Sequence, residues 1–415
     1  MRKDIPRLLR QASLDGVLVL DAAQDNPNFK FATKGAEIKG YYLWPARGKP
    51  TMLYGAMERD NLPKVPGMRA ISFTEIAHYI TKKKKKSKKP KAMTMASRFA
   101  MLVANMLEKV KFKGKLALVG KVEAGDLLEF ASALNKQAKG VKVCFDGEAS
   151  RLFKLARATK DEDEIAIIEE AGKRTEAAVR EVIKFIGSCR AKGKFLVNGK
   201  GKKVAIGHLR EILLNKLALG GMDCPESPII AQGEEAAVPH NIGTDSRNVL
   251  VGLPIVIDVF PRMTTTGFFF DTTRTVCPGA ASAELKEIYS QVLKVQKATM
   301  AMVKAGVVGA DVNRLALDLF EDWGHPTLRS HPGTTEGYCH GLGHGLGMNV
   351  HEWPNLNPGW SEKLKKGSVI TIEPGLYYAN KKIGVRIEDV LAIMPNGQVK
   401  NLCRNNKKLE IKLKG

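Results

Sequence analysis

The sequence has few cysteines and no long apolar run, and each shortage excludes a class of protein. Its six cysteines among 415 residues show no CxxC spacing, which argues against a zinc ribbon and a disulfide scaffold. No apolar stretch approaches the roughly 18 residues that span a bilayer. The N-terminal apolar patch GVLVL is too short for a signal-peptide core and ends at Asp21. We therefore expect a protein of the reducing cytoplasm with no membrane association.

Basic residues outnumber acidic residues by a wide margin. The chain has 66 lysines and arginines against 43 acidic residues, a formal net charge of +23. Eight lysines fall in KKKKKSKKPK, from Lys82 to Lys91, and without them the net charge is still +15. No aromatic residue interrupts the run, which weakens the case for specific single-strand binding. We expect a solvated surface loop. Non-specific contact with polyanions and a nuclear-targeting signal stay open as alternatives.

The apolar pattern predicts two domains, one at residues 1–150 and one at 155–415. In the first, short apolar runs alternate with helical stretches, which is typical of an α/β domain. Its predicted strands are GVLVL, two strands within 40–55, KLALVG and VKVCFD. The second domain combines amphipathic helices with β-branched strands, and we expect an α+β fold there. A capping box of Thr159 and Glu162 predicts the start of its first helix, and further helices are expected from Ser282 and Asp311.

The segment CHGLGHGLGMNVHE, from Cys339 to Glu352, contains three of the eight histidines. His340 and His344 have the four-residue spacing of zinc-protease helices. However, the segment has four glycines in seven residues, and each would cost a helix interior about 1 kcal/mol. We expect an extended or looped backbone, followed by a strand at MNVHE. Each histidine taken alone is as simply explained as a satisfied polar group, so a metal site needs partners elsewhere.

Four acidic residues interrupt runs that are otherwise strongly apolar and strand-like. They are Asp258 in PIVIDVF, Asp271 in GFFFDTT, Glu373 in VITIEPG and Glu388 in GVRIEDV. Burying an unpaired carboxylate costs several kcal/mol, so we expect a cation to compensate them. Pairing with Arg274 or Arg386 would explain any one of them. Four such residues, together with the histidine cluster, favour a shared metal centre.

The chemistry of this residue set indicates which metals would fit. Four carboxylates and one imidazole, without a thiolate, suit Mn²⁺, Fe²⁺ or Co²⁺ better than a structural Zn²⁺. Four negative charges match two divalent ions. Two ions about 3.5 to 4 Å apart can deprotonate a shared water molecule and polarise a carbonyl group. The pattern therefore predicts hydrolysis.

Together the motifs resemble those of the pita-bread metallopeptidases, the family of methionine aminopeptidase, aminopeptidase P, prolidase and the metal-free creatinase. The segments VIDVFPRMTTTGFFFDTTRT, GHGLGMNVHE, TIEPGLY and GVRIEDV occur in the family's order within residues 155–395. The resemblance implies five metal ligands: Asp258, Asp271, His344, Glu373 and Glu388. Asp271 and Glu388 would bridge two ions, Asp258 would hold one, and His344 with Glu373 would hold the other. It also implies four further active-site residues: His240, His340, His351 and Arg386.

The spacing of the first two ligands departs from the commonest family pattern. Twelve residues separate Asp258 from Asp271, where most members have ten. A shift of one residue along a strand would turn a side chain to the other face, but an even insertion within the turn preserves the face. Both aspartates are therefore kept as predicted ligands.

The occupied ligand positions argue against metal-free chemistry and against the family's non-enzymatic members. The N-terminal domain resembles that of prolidase, aminopeptidase P and creatinase. This resemblance implies cleavage before proline and a homodimer whose N-terminal domain helps to close the partner's active site.

The expected activity is hydrolysis of an Xaa-Pro dipeptide, or of the N-terminal Xaa-Pro bond of a longer peptide. The attacking group would be a hydroxide between two divalent ions, with Mn²⁺ preferred and Co²⁺, Fe²⁺ or Zn²⁺ as alternatives. Glu373 would assist proton transfer, and His351 with His240 would support the oxyanion. Two other functions stay open: a lyase or amidinohydrolase of the same fold, and a basic homologue that binds nucleic acid or ribosomes.

Overall fold

The computed structural model describes residues 1–21, 26–36, 38–83, 93–144 and 147–415. These residues form two compact units, Met1–Arg157 and Ala158–Gly415. Most of the predicted lysine loop, from residue 84 to residue 91, lies outside the described residues. In the parts of the chain that are described, no helix has the length and apolarity needed to cross a membrane.

The N-terminal unit is built on a six-stranded mixed sheet. Its strands are β1 Gly16–Asp21, β2 Gly40–Pro45, β3 Thr51–Tyr54, β4 Arg69–Ser72, β5 Gly114–Lys121 and β6 Val141–Cys144. Its α-helices are α1 Ile5–Gln11, α2 Pro27–Thr33, α3 Phe73–Lys83, α4 Met95–Lys109, α5 Ala124–Gln137 and α6 Glu148–Arg157. The strand order is β4-β3-β2-β1-β5-β6, with β1 parallel to β5 and antiparallel to β2. The strands predicted in this region are confirmed, except that the last two residues of VKVCFD, 145 and 146, lie outside the described residues. The buried run GVLVL is a central strand, as its apolar character requires.

The C-terminal unit contains two larger sheets and four long helices. The helices are α7 Glu162–Ser188, α8 Ile206–Leu219, α9 Ala283–Met302 and α10 Gly309–Asp322. The first eight strands are β7 Arg190–Lys192, β8 Phe195–Val197, β9 Met222–Asp223, β10 Ile229–Gln232, β11 Ile255–Val259, β12 Arg262–Met263, β13 Thr272–Pro278 and β14 Gly343–Gly345. The others are β15 Glu352–Leu356, β16 Val369–Ile372, β17 Gly375–Tyr378, β18 Ile383–Arg386, β19 Asp389–Ile393, β20 Val399–Asn401 and β21 Glu410–Ile411. One sheet has the order β10-β11-β13-β21 and the other β15-β14-β16-β19-β20.

Helix α7 begins two residues later than its predicted start. Asp161 is its N-cap, and the capping box joins Asp161 to Glu164 through hydrogen bonds of 3.0 and 3.1 Å. The predicted box of Thr159 and Glu162 is therefore wrong. Lys160 lies before the helix because its side chain forms a buried ion pair with Glu352 at 3.1 Å. The predicted cap of α9 at Ser282 is confirmed, whereas α10 begins at Gly309, two residues before Asp311.

Three of the four unusual carboxylates lie at breaks between strands, contrary to the prediction that all four lie within strands. Asp258 is inside β11, but Asp271 precedes β13, Glu373 follows β16, and Glu388 separates β18 from β19. These breaks free the backbone from regular pairing, so that each side chain can turn towards a common cavity.

The glycine-rich segment is not helical, as predicted, but its continuation differs from the expected strand. Residues 348–351 form bends, and β15 begins only at Glu352. The physical reason is local, because the Glu352 carboxylate accepts a hydrogen bond from the main-chain nitrogen of Asn349 at 2.9 Å. This contact closes a turn instead of extending a strand.

Candidate metal centre

A single cavity of about 570 Å³ in the C-terminal unit brings together every residue predicted for the active site. Its lining includes Asp258, Asp271, His344, Glu373, Glu388, His240, His340, His351 and Arg386. Other residues at its wall include Glu226, Phe260 and Asn357. The predicted residues, which are up to 148 positions apart in the chain from His240 to Glu388, therefore face one space of small-molecule size.

The pairing of β11 with β13 explains how the longer connection keeps two aspartates on one face. Asp258 lies opposite Thr273 in the antiparallel register, and Asp271 is two residues from Thr273. Since side chains alternate along a strand, all three point to the same side. The two additional residues are accommodated in the connection that contains β12, and the parity predicted from the even insertion is found in the register.

The centre of the cavity contains a compact acidic group with one imidazole. Asp271, His344 and Glu388 are buried, and each offers a ligand atom within 4.8 Å of the others. Nε2 of His344 lies 3.7 Å from Oδ2 of Asp271 and 3.2 Å from Oε1 of Glu373. These distances place Glu373 beside the three-residue group.

Three carboxylate oxygens in this group have no hydrogen-bond partner among the described residues. They are Oδ1 of Asp258, Oδ1 of Asp271 and Oε1 of Glu388, and all three atoms are buried. Buried polar atoms in native proteins are almost always satisfied, because an unsatisfied one costs a large part of its hydration free energy. Converging hard oxygen donors with one imidazole fit divalent metal ions, so the residues present match the ligand set predicted from the sequence.

The ring of His344 is oriented for ligation by its backbone neighbour. Nδ1 lies 3.1 Å from the carbonyl oxygen of Gly345, which can accept a ring N–H and leave Nε2 with a free lone pair. Thr371 supports the same arrangement, because its hydroxyl accepts from the main-chain nitrogen of His344 at 3.0 Å and donates to Glu373 at 3.2 Å. Nε2 therefore faces the carboxylates.

Burial and mutual repulsion shape the protonation of the group. Burial raises the pKa of Asp271 and of Glu388 well above the ordinary range, and neighbouring carboxylates raise both further. Burial would also raise the pKa of Glu373, but the hydrogen bond and charge of His344 lower it to about 2. Burial would lower the pKa of His344, but Glu373 and Asp271 raise it to about 9. Protons therefore offset part of the negative charge in the metal-free protein.

Arg386 pairs with one of the two carboxylate oxygens of Asp258. Its Nη2 donates to Oδ2 of Asp258 at 2.5 Å, and its Nη1 donates to the hydroxyl of Tyr377 at 2.8 Å. The simple alternative of an arginine partner thus holds for one oxygen of this aspartate. Oδ1 of Asp258 still has no partner among the described residues.

The other histidines lie on the wall of the cavity. Nε2 of His340 is 2.9 Å from the hydroxyl of Tyr377, which links His340 to Arg386. The ring of His351 meets the ring of His344 edge to face, with 4.3 Å between centroids. His240 is exposed to solvent and lines the cavity. The contact of Tyr377 with His340 and Arg386 was not predicted, although Tyr377 is the last residue of the motif TIEPGLY.

Behind the cavity, a second buried network holds the main chain at Glu388. Nη1 of Arg274 donates to the carbonyl oxygen of Glu388 at 2.6 Å, and Nη2 donates to Asp389 at 2.9 Å. Asp389 also accepts from Lys407 at 2.6 Å. Arg274 is therefore the partner of Asp389, and the alternative that it neutralises one of the four unusual carboxylates is wrong.

Comparison with known proteins shows which family this sequence matches. The model of metallopeptidase family M24 matches residues 166–395. The Xaa-Pro dipeptidase of Pyrococcus furiosus is 32% identical over 262 residues, or 62% of this chain and 66% of the relative. The Xaa-Pro dipeptidase of Pyrococcus horikoshii is 34% identical over 257 residues, or 61% of this chain and 64% of the relative. The chain thus matches slightly less than two thirds of the length of these relatives.

Solved structures match along almost the whole chain. The prolidase from Pyrococcus horikoshii OT3 has a TM-score of 0.72 at 25% identity, covering 98% of this chain and 99% of that one. The X-Pro aminopeptidase from Thermotoga maritima has a TM-score of 0.73 at 22% identity, covering 97% and 99%, and this likeness concerns the fold alone. The fold is that of prolidase, an N-terminal α/β domain followed by a pita-bread domain. The chain belongs to metallopeptidase family M24, in the branch of the Xaa-Pro dipeptidases and X-Pro aminopeptidases.

Proposed function

We propose that this protein hydrolyses the peptide bond before proline, in Xaa-Pro dipeptides or at the N-terminal Xaa-Pro of longer peptides. The observation that carries the proposal is the convergence, in a cavity of about 570 Å³, of three buried carboxylate oxygens that have no hydrogen-bond partner in the described part of the chain. The substrate class is supported by the relatives named Xaa-Pro dipeptidase. Neither of the two alternative functions is favoured by an observation at this centre.

The proposed metal ligands are Asp258, Asp271, His344, Glu373 and Glu388. We propose that they hold two divalent ions, with Mn²⁺ preferred and Co²⁺, Fe²⁺ or Zn²⁺ as alternatives, and that Asp271 and Glu388 are shared between them. Bound there, the ions would supply Lewis-acid activation of a water molecule and of the scissile carbonyl group. The same oxygen-rich donor set accounts for both the number and the kind of ions.

The protein side chains would move the protons and stabilise the developing charge. Glu373, ionised at neutral pH, would accept a proton from the attacking water and return one to the departing proline nitrogen. His351 and His240, at the cavity wall, would donate hydrogen bonds to the oxyanion. His340 and Arg386 would keep this wall in place through their shared contact with Tyr377.

The proposal also includes the location and the assembly. We propose a homodimer in the cytoplasm, in which the N-terminal domain, residues 1–150, helps to close the catalytic domain, 155–415, of the partner. All six cysteines are free, which suits a reducing compartment.

Substrate length separates the two proposed activities. We expect protein that has been stripped of metal and reloaded with Mn²⁺ to cleave an Xaa-Pro dipeptide, an Xaa-Pro-Yaa tripeptide, or both. The matching Xaa-Ala peptides, which lack the proline ring, serve as the control and should be poor substrates. Cleavage of the dipeptide alone would identify a dipeptidase, and cleavage of the tripeptide an aminopeptidase P. Inactivity on all peptides with two ions bound would contradict the substrate class and direct attention to the lyase and amidinohydrolase alternative.

Metal uptake is expected to release protons and to strengthen as pH rises. A metal binds the neutral imidazole and the ionised carboxylate, whereas the pKa of His344 is raised to about 9 in the metal-free protein. Below pH 9 the ions must displace this proton, so affinity should fall roughly tenfold per pH unit for each proton displaced. Calorimetric titration with Mn²⁺ at pH 7, in two buffers of different ionisation enthalpy, would count the protons. We expect at least one, and uptake without proton release would contradict the proposed role of His344.

A further inference from the structure

An open cleft of about 670 Å³ in the N-terminal unit has six basic residues among the fifteen that line it. The six basic side chains at its wall are Arg10, Arg47, Lys49, Arg69, Lys111 and Lys113. The one carboxylate among its lining residues is Asp15, which accepts a hydrogen bond from the main-chain nitrogen of Lys115 at 2.8 Å. The cleft therefore presents an excess of positive charge.

The cleft runs across the strands of the six-stranded sheet, at one of the two ends of these strands. Strands β1, β3, β4 and β5 begin at this end of the sheet and β2 terminates there, as the registers show. Arg69 opens β4, and Lys113 directly precedes β5. With four strand intervals of about 4.8 Å between β4 and β5, the basic row spans roughly 19 Å. It is long enough for a chain of anionic groups and too long for a single phosphate ion.

The basic side chains of the cleft have few partners within the protein that would compete with a ligand. All six are exposed to solvent. Arg10 donates to the carbonyl oxygen of Ala46 at 3.1 Å. The other five form no ion pair and no side-chain hydrogen bond with the described part of the chain. Their charges are therefore available to a ligand without breaking existing contacts.

The surplus charge of the whole chain is concentrated in this unit. Its 157 residues contain 32 lysines and arginines and 14 acidic residues, a formal net charge of +18 out of +23. Such an imbalance attracts polyanions over distances of about a Debye length and concentrates them at basic clefts.

We propose that the cleft binds the phosphate backbone of a single strand of nucleic acid, without sequence preference. A row of roughly 19 Å corresponds to about six phosphates at the axial charge spacing of one strand of a duplex, about 3.4 Å. Phe112 is the one aromatic residue among those lining the cleft, so the wall offers basic groups for phosphates and little surface for stacked bases. This site differs in place and chemistry from the metal centre and does not depend on the proposed peptidase activity.

The test compares two double charge reversals in the full-length protein. Arg47→Glu with Arg69→Glu removes two basic groups of the cleft. Lys39→Glu with Lys121→Glu makes the same change in net charge at the opposite ends of the strands of this sheet, where β2 begins and β5 terminates. All four side chains are exposed, so both variants should fold, and both keep the lysine run. Circular dichroism and peptidase assays would confirm that each is otherwise unchanged.

Binding would be followed by the fluorescence anisotropy of a labelled, mixed-sequence 20-nucleotide DNA strand between 50 and 200 mM salt. Each lost phosphate contact lowers the slope of log affinity against log salt by about 1, so the cleft variant should lose about 2. Its affinity at 100 mM salt should fall at least about tenfold, and that of the control variant less than threefold. Equal losses in both variants, no loss in the cleft variant, or equal competition by polyglutamate of matched charge would overturn the proposal.

Discussion

Replacing Glu373 with glutamine is expected to lower turnover of an Xaa-Pro substrate about 1000-fold while the fold stays intact. The change keeps the size of the side chain but removes its charge and its capacity to accept a proton, and a positioned base contributes 100-fold to 10,000-fold to a rate. Oε1 of Glu373 lies 3.2 Å from Nε2 of His344, so the substitution also removes the charge that raises the pKa of that imidazole. Turnover would be measured together with the metal content of the purified variant.

Glu226 provides a matched control for this substitution. It lines the same cavity but is exposed to solvent, and it is hydrogen-bonded to none of the five proposed ligands. Glu226→Gln should therefore keep turnover within about threefold of the unsubstituted protein, in the range expected for a side chain outside the reacting centre. If Glu373→Gln retained a tenth or more of the activity with two ions bound, the role proposed for Glu373 would be wrong.

The residues of the cavity could be predicted because the sequence makes them chemical anomalies. A carboxylate such as Glu388 within GVRIEDV stands out against its apolar neighbours, and alternating glycines around His344 exclude a helix. What could not be read is where each strand stops. Whether Asp271 lies within a strand or just before it depends on how β13 pairs with β11, a separate segment of the chain, and not on the residues next to Asp271.

Contacts between distant segments account for the remaining differences. Two overlapping patterns fit the start of α7, and the ion pair of Lys160 with Glu352, 192 residues away, decides between them. Arg274 is a similar case, since its partner carbonyl on Glu388 is 114 residues away. The contact of Tyr377 was not predicted because its hydroxyl acts only through His340 and Arg386, which no local pattern connects to it.

Replacing Arg274 with methionine is expected to lower the free energy of unfolding of the C-terminal unit by about 3 to 5 kcal/mol. Its guanidinium is fully buried and donates to Asp389 and to the carbonyl oxygens of Thr273 and Glu388. Burial alone would raise the pKa of Asp389, but Arg274 and Lys407 hold it below its ordinary value. Methionine would leave Asp389 with Lys407 and Asn401 as its partners. The carbonyl oxygens of Thr273 and Glu388 would each lose one of two hydrogen bonds, keeping the main-chain nitrogen of Glu388 and the hydroxyl of Thr272 as donors.

Denaturant unfolding followed by tryptophan fluorescence would measure this loss. Three of the four tryptophans, Trp323, Trp353 and Trp360, lie in the C-terminal unit and report on it. Arg329→Met is the matched control, because Arg329 is an exposed arginine whose ion pairs with Asp318 and Glu321 are solvated. It should cost less than about 1 kcal/mol. A cost for Arg274→Met as small as that of the control would contradict the structural role of the buried network.

A double substitution separates the lost ion pair from the lost carbonyl contacts. Arg274→Met combined with Asp389→Leu removes both buried charges, and replacing such a pair by apolar residues is often close to neutral. We expect the double variant to be more stable than Arg274→Met alone by about 1 to 2 kcal/mol, the remaining deficit coming from the two hydrogen bonds that Arg274 donates to carbonyl oxygens. Metal affinity should not recover in parallel, because the carbonyl oxygen of Glu388 still lacks the hydrogen bond from Arg274, and loss of such support typically weakens metal binding 10-fold to 100-fold. Recovery of metal affinity together with stability would show that Arg274 stabilises the fold without positioning Glu388.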